Sequence, residues 1–236
     1  MTAPEPPPVA LVTGAGGGMG RALLPLLHGA GFTTLGLDVA PPVTAGCVPL
    51  ACDLTQPAAI EACVADLTCE QRRRVATVVH LAGVYPTVAA SEYSVELWDR
   101  VFAVNVRSVF FLLQALVRAG VPALRTVVLV SSAAARVGSR DPAYAASKAA
   151  LLGLGRHLSL ELAGLGVRVN MLLPGLVDTP MSQRQTPERR AHHAGRTLVG
   201  RAGTPEEIAR TIMFLIGDAS SYLWGASIDA NGGMVF

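Results

Sequence analysis

Short apolar, β-branched runs alternate along the chain with stretches in which apolar residues recur every three or four positions. The runs are Val9–Val12, Thr33–Leu37, Val75–Leu81, Thr126–Val130, Val167–Leu173 and Ala226–Ile228, with a further short strand near Cys47–Leu50. The helical patterns fall at Met19–Ala30, Pro57–Leu67, Val95–Ala119, Pro142–Leu165 and Pro205–Ile216. Strand and helix taking turns at this spacing predict right-handed βαβ units and an α/β fold. We expect one domain over residues 9–236: a doubly wound parallel sheet of about seven strands with helices on both faces. The segment Ser182–Gly203 fits neither period and carries Pro187, three glycines and several charges. It is expected to be a substrate lid over 182–203, a loop with a short helix.

Composition narrows the function classes. Hydrophobic residues make up 51% of the 236 and charged residues 15%, as suits central strands covered on both faces. No uncharged apolar run reaches the roughly 18 residues that span a bilayer, so no membrane is expected. Met1–Pro8 is proline-rich and acidic, and reads as a disordered lead-in over 1–8 without the features of a signal peptide. Cys47, Cys52, Cys63 and Cys69 form no CxxC pair. Metal ligation is therefore not expected, and a cytoplasmic, reducing location is. A net charge of +2 makes no case for nucleic acid.

The segment Val9 to Arg21 reads as strand, glycine-rich turn and helix start. A phosphate needs backbone amides free of Cβ atoms, and Gly14, Gly18 and Gly20 supply them at a helix N-terminus. Asp38 ends the next strand. A carboxylate there accepts bonds from both ribose hydroxyls and repels a 2′-phosphate. No Arg or Lys lies within Gly14–Gly20 or directly after Asp38, so NAD is the expected cofactor. The competing reading of Asp38 is a turn cap. Asp53 has two readings, an acceptor for the adenine amino group or, with Thr55, a helix cap.

Tyr144 and Lys148 stand four apart at the start of a long apolar helix and share one face. A phenol of ordinary pKa, about 10, is a poor base at neutral pH, and a neighbouring ammonium favours the phenolate. Tyr144 can then exchange a proton with an alcohol or ketone oxygen. The pair Ser131-Ser132 ends a strand, where a hydroxyl can hold that oxygen.

Thr13-Gly14…Gly18-Met19-Gly20, Asp53, Asn105, Ser132, Tyr144-x-x-x-Lys148, Asn170 and Pro174-Gly175 together resemble the short-chain dehydrogenase/reductase family, over about Val9 to Gly233. The resemblance implies a Rossmann-type fold and a hydride passed between NAD(H) and a secondary alcohol or ketone. It implies Tyr144 as acid/base, Lys148 as its electrostatic partner and a ribose ligand, and Ser132 as donor to the substrate oxygen. Asn105 resembles the asparagine that anchors a relay water in a kinked helix. Met19, Leu54, Ala82, Gly83, Pro174, Gly175, Val177 and Thr179 take cofactor-binding positions by the same likeness. Two departures stand out. His80-Leu81-Ala82-Gly83 replaces the family's Asn-Asn-Ala-Gly, so the side-chain bonds of that turn must be replaced. Ser132 lies 12 residues before Tyr144, one fewer than in many relatives, which keeps Ser131 as a second candidate.

For substrate, the expected lid carries Arg184, Arg189, Arg190, His192, His193 and Arg196. They suit an anionic small molecule, such as a carboxylated cyclic alcohol, or else a solvated helix face. The run Glu161 to Asn170 resembles the branch that contains 2,3-dihydro-2,3-dihydroxybenzoate dehydrogenase. Alternatives are a 3-oxoacyl-type ketoreductase, a non-catalytic NAD-binding scaffold, and a lyase or epimerase using NAD transiently, for whose larger substrate region the chain leaves little room. Excess apolar residues on the 95–119 and 142–165 helices (Leu151, Leu152, Leu154, Leu158, Leu160, Leu162) point to a homo-oligomer, a tetramer or dimer, with Ile228–Phe236 adding a contact.

Overall fold

Every strand that the alternation predicts is built, and the central ones alternate their side chains between two cores. The computed structural model describes residues 6–235. Residues 1–5 of the expected lead-in and Phe236 of the expected contact lie outside them; Pro6, Pro7 and Pro8 are exposed and outside any helix or strand. In chain order the elements are β1 (Val9–Thr13), α1 (Gly18–Gly29), β2 (Thr33–Asp38), β3 (Cys47–Ala51), α2 (Pro57–Ala65), α3 (Cys69–Arg74), β4 (Val75–His80) and α4 (Val95–Phe102). There follow α5 (Ser108–Ala119), β5 (Thr126–Val130), α6 (Ala134–Val137), α7 (Pro142–Ala163), β6 (Arg168–Pro174), α8 (Pro187–Gly195), α9 (Pro205–Ile216) and β7 (Ser227–Ala230). All seven strands run parallel in the order β3-β2-β1-β4-β5-β6-β7.

Successive strand residues face opposite ways. Val9, Leu11, Val127, Leu129, Val169 and Met171 pack against Ile60 of α2, Leu112 and Leu116 of α5, and Leu151 and Leu158 of α7. Ala10, Val12, Val128, Val130 and Leu172 pack against Leu23 and Leu27 of α1 and Ile208 and Ile212 of α9. The strand order reverses between β1 and β4. A parallel sheet opens a crevice at such a switch point, beyond the carboxyl ends of the strands. The glycine-rich turn after β1 and the His80–Gly83 turn after β4 both lie there.

The reading of the chain omits α3 and α6, and it gives the kink in the 95–119 helix only through the resemblance at Asn105. α3 was not foreseen because Cys69-Glu-Gln-Arg-Arg-Arg74 has no apolar face. A capping box makes it: the Thr68 hydroxyl accepts from Gln71 N at 3.1 Å and the Gln71 side chain accepts from Thr68 N at 2.8 Å. The helix over 95–119 is broken by a π-turn at Ala103–Arg107. By length and composition this helix is apolar enough to cross a membrane, yet half of its most apolar stretch is buried in the protein. The expected lid holds a 3-10 turn at Ser182–Arg184 and then α8, capped by Thr186, which accepts from Arg189 N at 3.3 Å.

Candidate active site

The glycine turn is packed too tightly for side chains. Gly14 has φ +67°, and a Cβ there would lie 2.7 Å from Ala82 N; one on Gly18 would lie 2.9 Å from Thr179 Cγ2. Three of the expected cofactor segments thus converge: the turn at 14–20, Ala82-Gly83, and Thr179 with Pro174, Gly175 and Val177. A backbone cradle that excludes Cβ atoms at the start of α1 fits a dinucleotide's phosphates. Asp38 stands beside it: Oδ2 accepts from Gly16 N at 3.0 Å and Oδ1 from Ala40 N at 3.1 Å. A carboxylate has about four acceptor sites, so it holds the turn and keeps capacity for hydroxyls. Arg21, just outside the window read in the sequence, donates from Nε to Gly16 O at 2.9 Å.

Asp53 is exposed and accepts through Oδ1 from Thr55 N (2.9 Å) and Thr55 Oγ1 (2.8 Å), which hold its carboxyl below the usual range. The capping alternative is corrected here. Gln56 is the N-cap of α2, without a side-chain bond, and Asp53 closes a turn one step earlier. Leu54, beside it, is buried in the core under α2.

A cavity of about 770 Å³ lies beyond the ends of β4, β5 and β6, and Met19, Gly83, Ser131, Ser132, Tyr144, Lys148, Pro174, Gly175, Val177 and Thr179 all line it. The N-terminus of α7 sets the tyrosine: Asp141, fully buried, accepts Tyr144 N at 2.9 Å. One turn on, Lys148 Nζ stands 5.7 Å from the centre of the Tyr144 ring and donates to Val130 O at 2.9 Å. Two of its three N–H donors remain. Ser131 is committed elsewhere, donating to Lys148 O at 2.7 Å, whereas Ser132 lines the cavity with Tyr144.

The electrostatics correct one expectation. Burial pushes the Tyr144 phenol up to about 12, against the hydrogen bond from Ser132, with Tyr85 and Asp141 adding to the rise. Burial also brings Lys148 down to about 8. Lys148 Nζ bonds to Val130 O and not to the phenol, and loss of water dominates the shift of Tyr144.

Asn105 sits in the π-turn, fully buried. Its Oδ1 accepts from Val84 N at 2.8 Å, and Nδ2 donates to Val84 O (3.2 Å) and Ser147 Oγ (2.9 Å). π-turns of this kind recur at functional sites, and this one seats the asparagine against α7. His80 solves the family departure. Its Nδ1 pairs with Thr13 Oγ1 at 2.8 Å, and Thr13 Oγ1 accepts Ala82 N at 3.2 Å, tying the ends of β1 and β4. Burial, then the Lys148 charge, hold His80 down to about 3, with the Asn105 backbone acting the other way. It is a neutral, structural histidine. Asn170, another motif residue, is also structural: it binds Leu223 O and Ala226 N across the β6–β7 connection.

Three residues escaped the sequence reading. Asp141 takes the Thr87 amide at 2.9 Å and the Tyr93 hydroxyl at 2.9 Å besides Tyr144 N; Asp-Pro ahead of the helix was its legible signal. Tyr85 stacks on Tyr144 with ring centres 4.6 Å apart, and Arg140 enters the cavity wall; neither stands in a motif. Of the six lid cations, Arg189, His192, His193 and Arg196 line the cavity, and Arg184 and Arg190 do not. Among the described residues no cluster of three or more potential metal ligands occurs.

A family model described as "Enoyl-(Acyl carrier protein) reductase" matches residues 32–235. The 3-oxoacyl-[acyl-carrier-protein] reductase of Thermotoga maritima is 32% identical over 240 residues, covering 96% of this chain and 97% of its own. The (3R)-3-hydroxyacyl-CoA dehydrogenase of Canis lupus familiaris is 31% identical over 247 residues, covering 96% and 95%. Among solved structures, the aldohexose dehydrogenase of Thermoplasma acidophilum superposes with a TM-score of 0.88 at 25% identity, covering 97% and 94%.

Proposed function

The chain belongs to the short-chain dehydrogenase/reductase family, and from that premise we propose that it interconverts a secondary alcohol and its ketone with NAD(H). It is an oxidoreductase acting on CH–OH groups, so the scaffold and lyase readings fall away. One observation carries the assignment of roles: Ser132, Tyr144 and Lys148 meet in a single cavity that also takes in Met19, Gly83 and Thr179. The nicotinamide, when bound, supplies or accepts the hydride. Tyr144 gives its phenolic proton to the substrate oxygen in reduction and takes one in oxidation. Ser132 donates to the same oxygen. Lys148 stabilises the phenolate and offers its two remaining donors to the ribose. Asn105 fixes the wall beside Lys148 along which a water returns the proton.

The choice of NAD rests on Asp38, whose negative charge stands 3.0 Å from the Gly16 amide, where a 2′-phosphate would be repelled. Arg21, at the same turn, has its Nε bonded to Gly16 O. Tyr144→Phe should lower kcat about 10²–10⁴-fold, and NADH should outperform NADPH in the parent. Asp38→Asn should narrow that gap. Turnover of Tyr144→Phe at the parent rate, or a strong preference for NADPH, overturns the respective half.

For the substrate we favour a cyclic or carboxylated alcohol of dihydrodiol type, supported by the cations around the cavity. A second reading, a 3-oxoacyl thioester, is favoured by the names of the relatives above. We also propose a cytoplasmic homotetramer; four free thiols suit a reducing compartment.

A further inference from the structure

One wall of the cavity carries basic side chains. Arg189, His192, His193 and Arg196 occupy positions i, i+3, i+4 and i+7 of one face running along α8 into the turn after it; that face borders the cavity, with Arg189 and His193 half-buried and His192 and Arg196 exposed. Arg140, from the loop before α7, joins them. Glu188 is the one acid in the lining, and it is exposed. Among the described residues no carboxylate comes within 4.0 Å of Arg140, Arg189 or Arg196. Burial, then the nearby Arg189, His192, Arg196 and Arg140, lower the titration of His193, so the arginines carry the charge of this wall.

One of them is connected to the reacting phenol. Arg189 Nη2 donates to Tyr85 Oη at 2.8 Å, and the Tyr85 ring leans on Tyr144 at 51° with centres 4.6 Å apart. Tyr85 is itself held. Its loop passes through Thr87 at φ +65°, a left-handed conformation that threonine seldom adopts, pinned by Asp141 at the Thr87 amide. A cation seeking an anion is therefore set at a fixed offset from the acid/base, with one aromatic ring between them.

We infer that the substrate carries a carboxylate close to the reacting carbon, that Arg189 binds it with Arg140 and Arg196 in support, and that Tyr85 sets its distance from Tyr144. This rests on the proposed role of Tyr144 and adds the substrate class and two specificity residues. A carboxylate on a short, ring-sized spacer suits the geometry; the phosphate of a long thioester carrier would have to reach the same cations from outside.

The test uses 3-hydroxycyclohexanecarboxylate and its carboxamide with the full-length enzyme and NAD. The carboxylate should show kcat/KM at least about tenfold higher, an advantage that shrinks with added salt. Arg189→Gln should reduce the carboxylate-to-amide ratio about tenfold, through KM. Tyr85→Phe keeps the ring but loses the bond to Arg189, and should reduce it severalfold. Arg190→Gln, outside the cavity, should leave the ratio intact. Calorimetry with unreactive cyclohexanecarboxylate reads binding without turnover and should lose its signal in Arg189→Gln. Equal parent rates for acid and amide, or a ratio untouched by Arg189→Gln, overturn the inference. So does a phosphopantetheine 3-oxoacyl thioester that is preferred and becomes sensitive to Arg189→Gln. If Tyr144→Phe turns over both substrates normally, the reaction assignment has failed instead, and the calorimetry still decides the anion site.

Discussion

Lys148 shows how a single residue can serve chemistry at the expense of stability. Its ammonium is buried with one hydrogen bond, to Val130 O, and burial brings it from an ordinary 10.5 down to about 8. Below pH 8 both folded and unfolded chains hold the proton, and the folded one bears the full desolvation penalty. Between pH 8 and 10.5 the unfolded chain binds more protons, so stability rises with pH across that window. At about 1.4 kcal/mol per tenfold change in proton affinity, the penalty is roughly 3 kcal/mol. Lys148→Met should therefore raise Tm at pH 7 while abolishing turnover, and its advantage should fade as pH climbs from 8 to 10.5. Thermal melts across that range check it; a Tm that falls at pH 7 would show that the cation is solvated. The pairing of Lys148 with Tyr144 was legible from their four-residue spacing, whereas the balance of burial against charge was not, because it depends on where the Nζ sits.

At the scale of elements, the start of α7 organises the site. Asp141 caps the helix, takes the Thr87 amide that holds the left-handed turn, and accepts the Tyr93 hydroxyl. It links three segments from a fully buried position. Removing it would leave several donors buried without a partner, each costing about 1–3 kcal/mol. Asp141→Ala should destabilise the fold by about 2–4 kcal/mol and lower kcat as Tyr85 and Tyr144 lose their register. Chemical denaturation with a parallel activity measurement tests both; a loss under 1 kcal/mol would contradict it. The helix start at Pro142 was readable from Asp-Pro, but Tyr93 and Thr87, its long-range partners, lie 48 and 54 residues away and share no pattern with it. The π-turn at Ala103–Arg107 was legible only as the kink that the resemblance attaches to Asn105.

At the scale of the whole molecule, the outer faces remain apolar. Leu160 is 82% exposed, and Trp98, Val117, Phe214, Tyr222 and Trp224 also face solvent. Leu151, Leu158 and Leu162 of α7 are used in the core, so only part of the excess apolar surface seen in the sequence remains outside. We expect sedimentation at micromolar concentration to give a tetramer or dimer, and Leu160→Arg to shift it toward monomer; a monomeric parent would refute the prediction.

What the sequence determined by itself was whatever depends on local period and spacing. The alternation of Val9–Val12 with its neighbours yields a parallel sheet because each strand must bury both faces. The glycines at 14, 18 and 20 yield a cradle because only they leave backbone amides bare. Tyr144 and Lys148 share a face because a helix repeats every 3.6 residues. Only the tertiary structure decided which serine is committed to the Lys148 carbonyl, which lid residues border the cavity, that Arg189 reaches Tyr144 through Tyr85, and that His80 pairs with Thr13 where the family carries an asparagine. Each of those depends on packing between segments distant in the chain, and contact across a cavity leaves no period for a sequence to display.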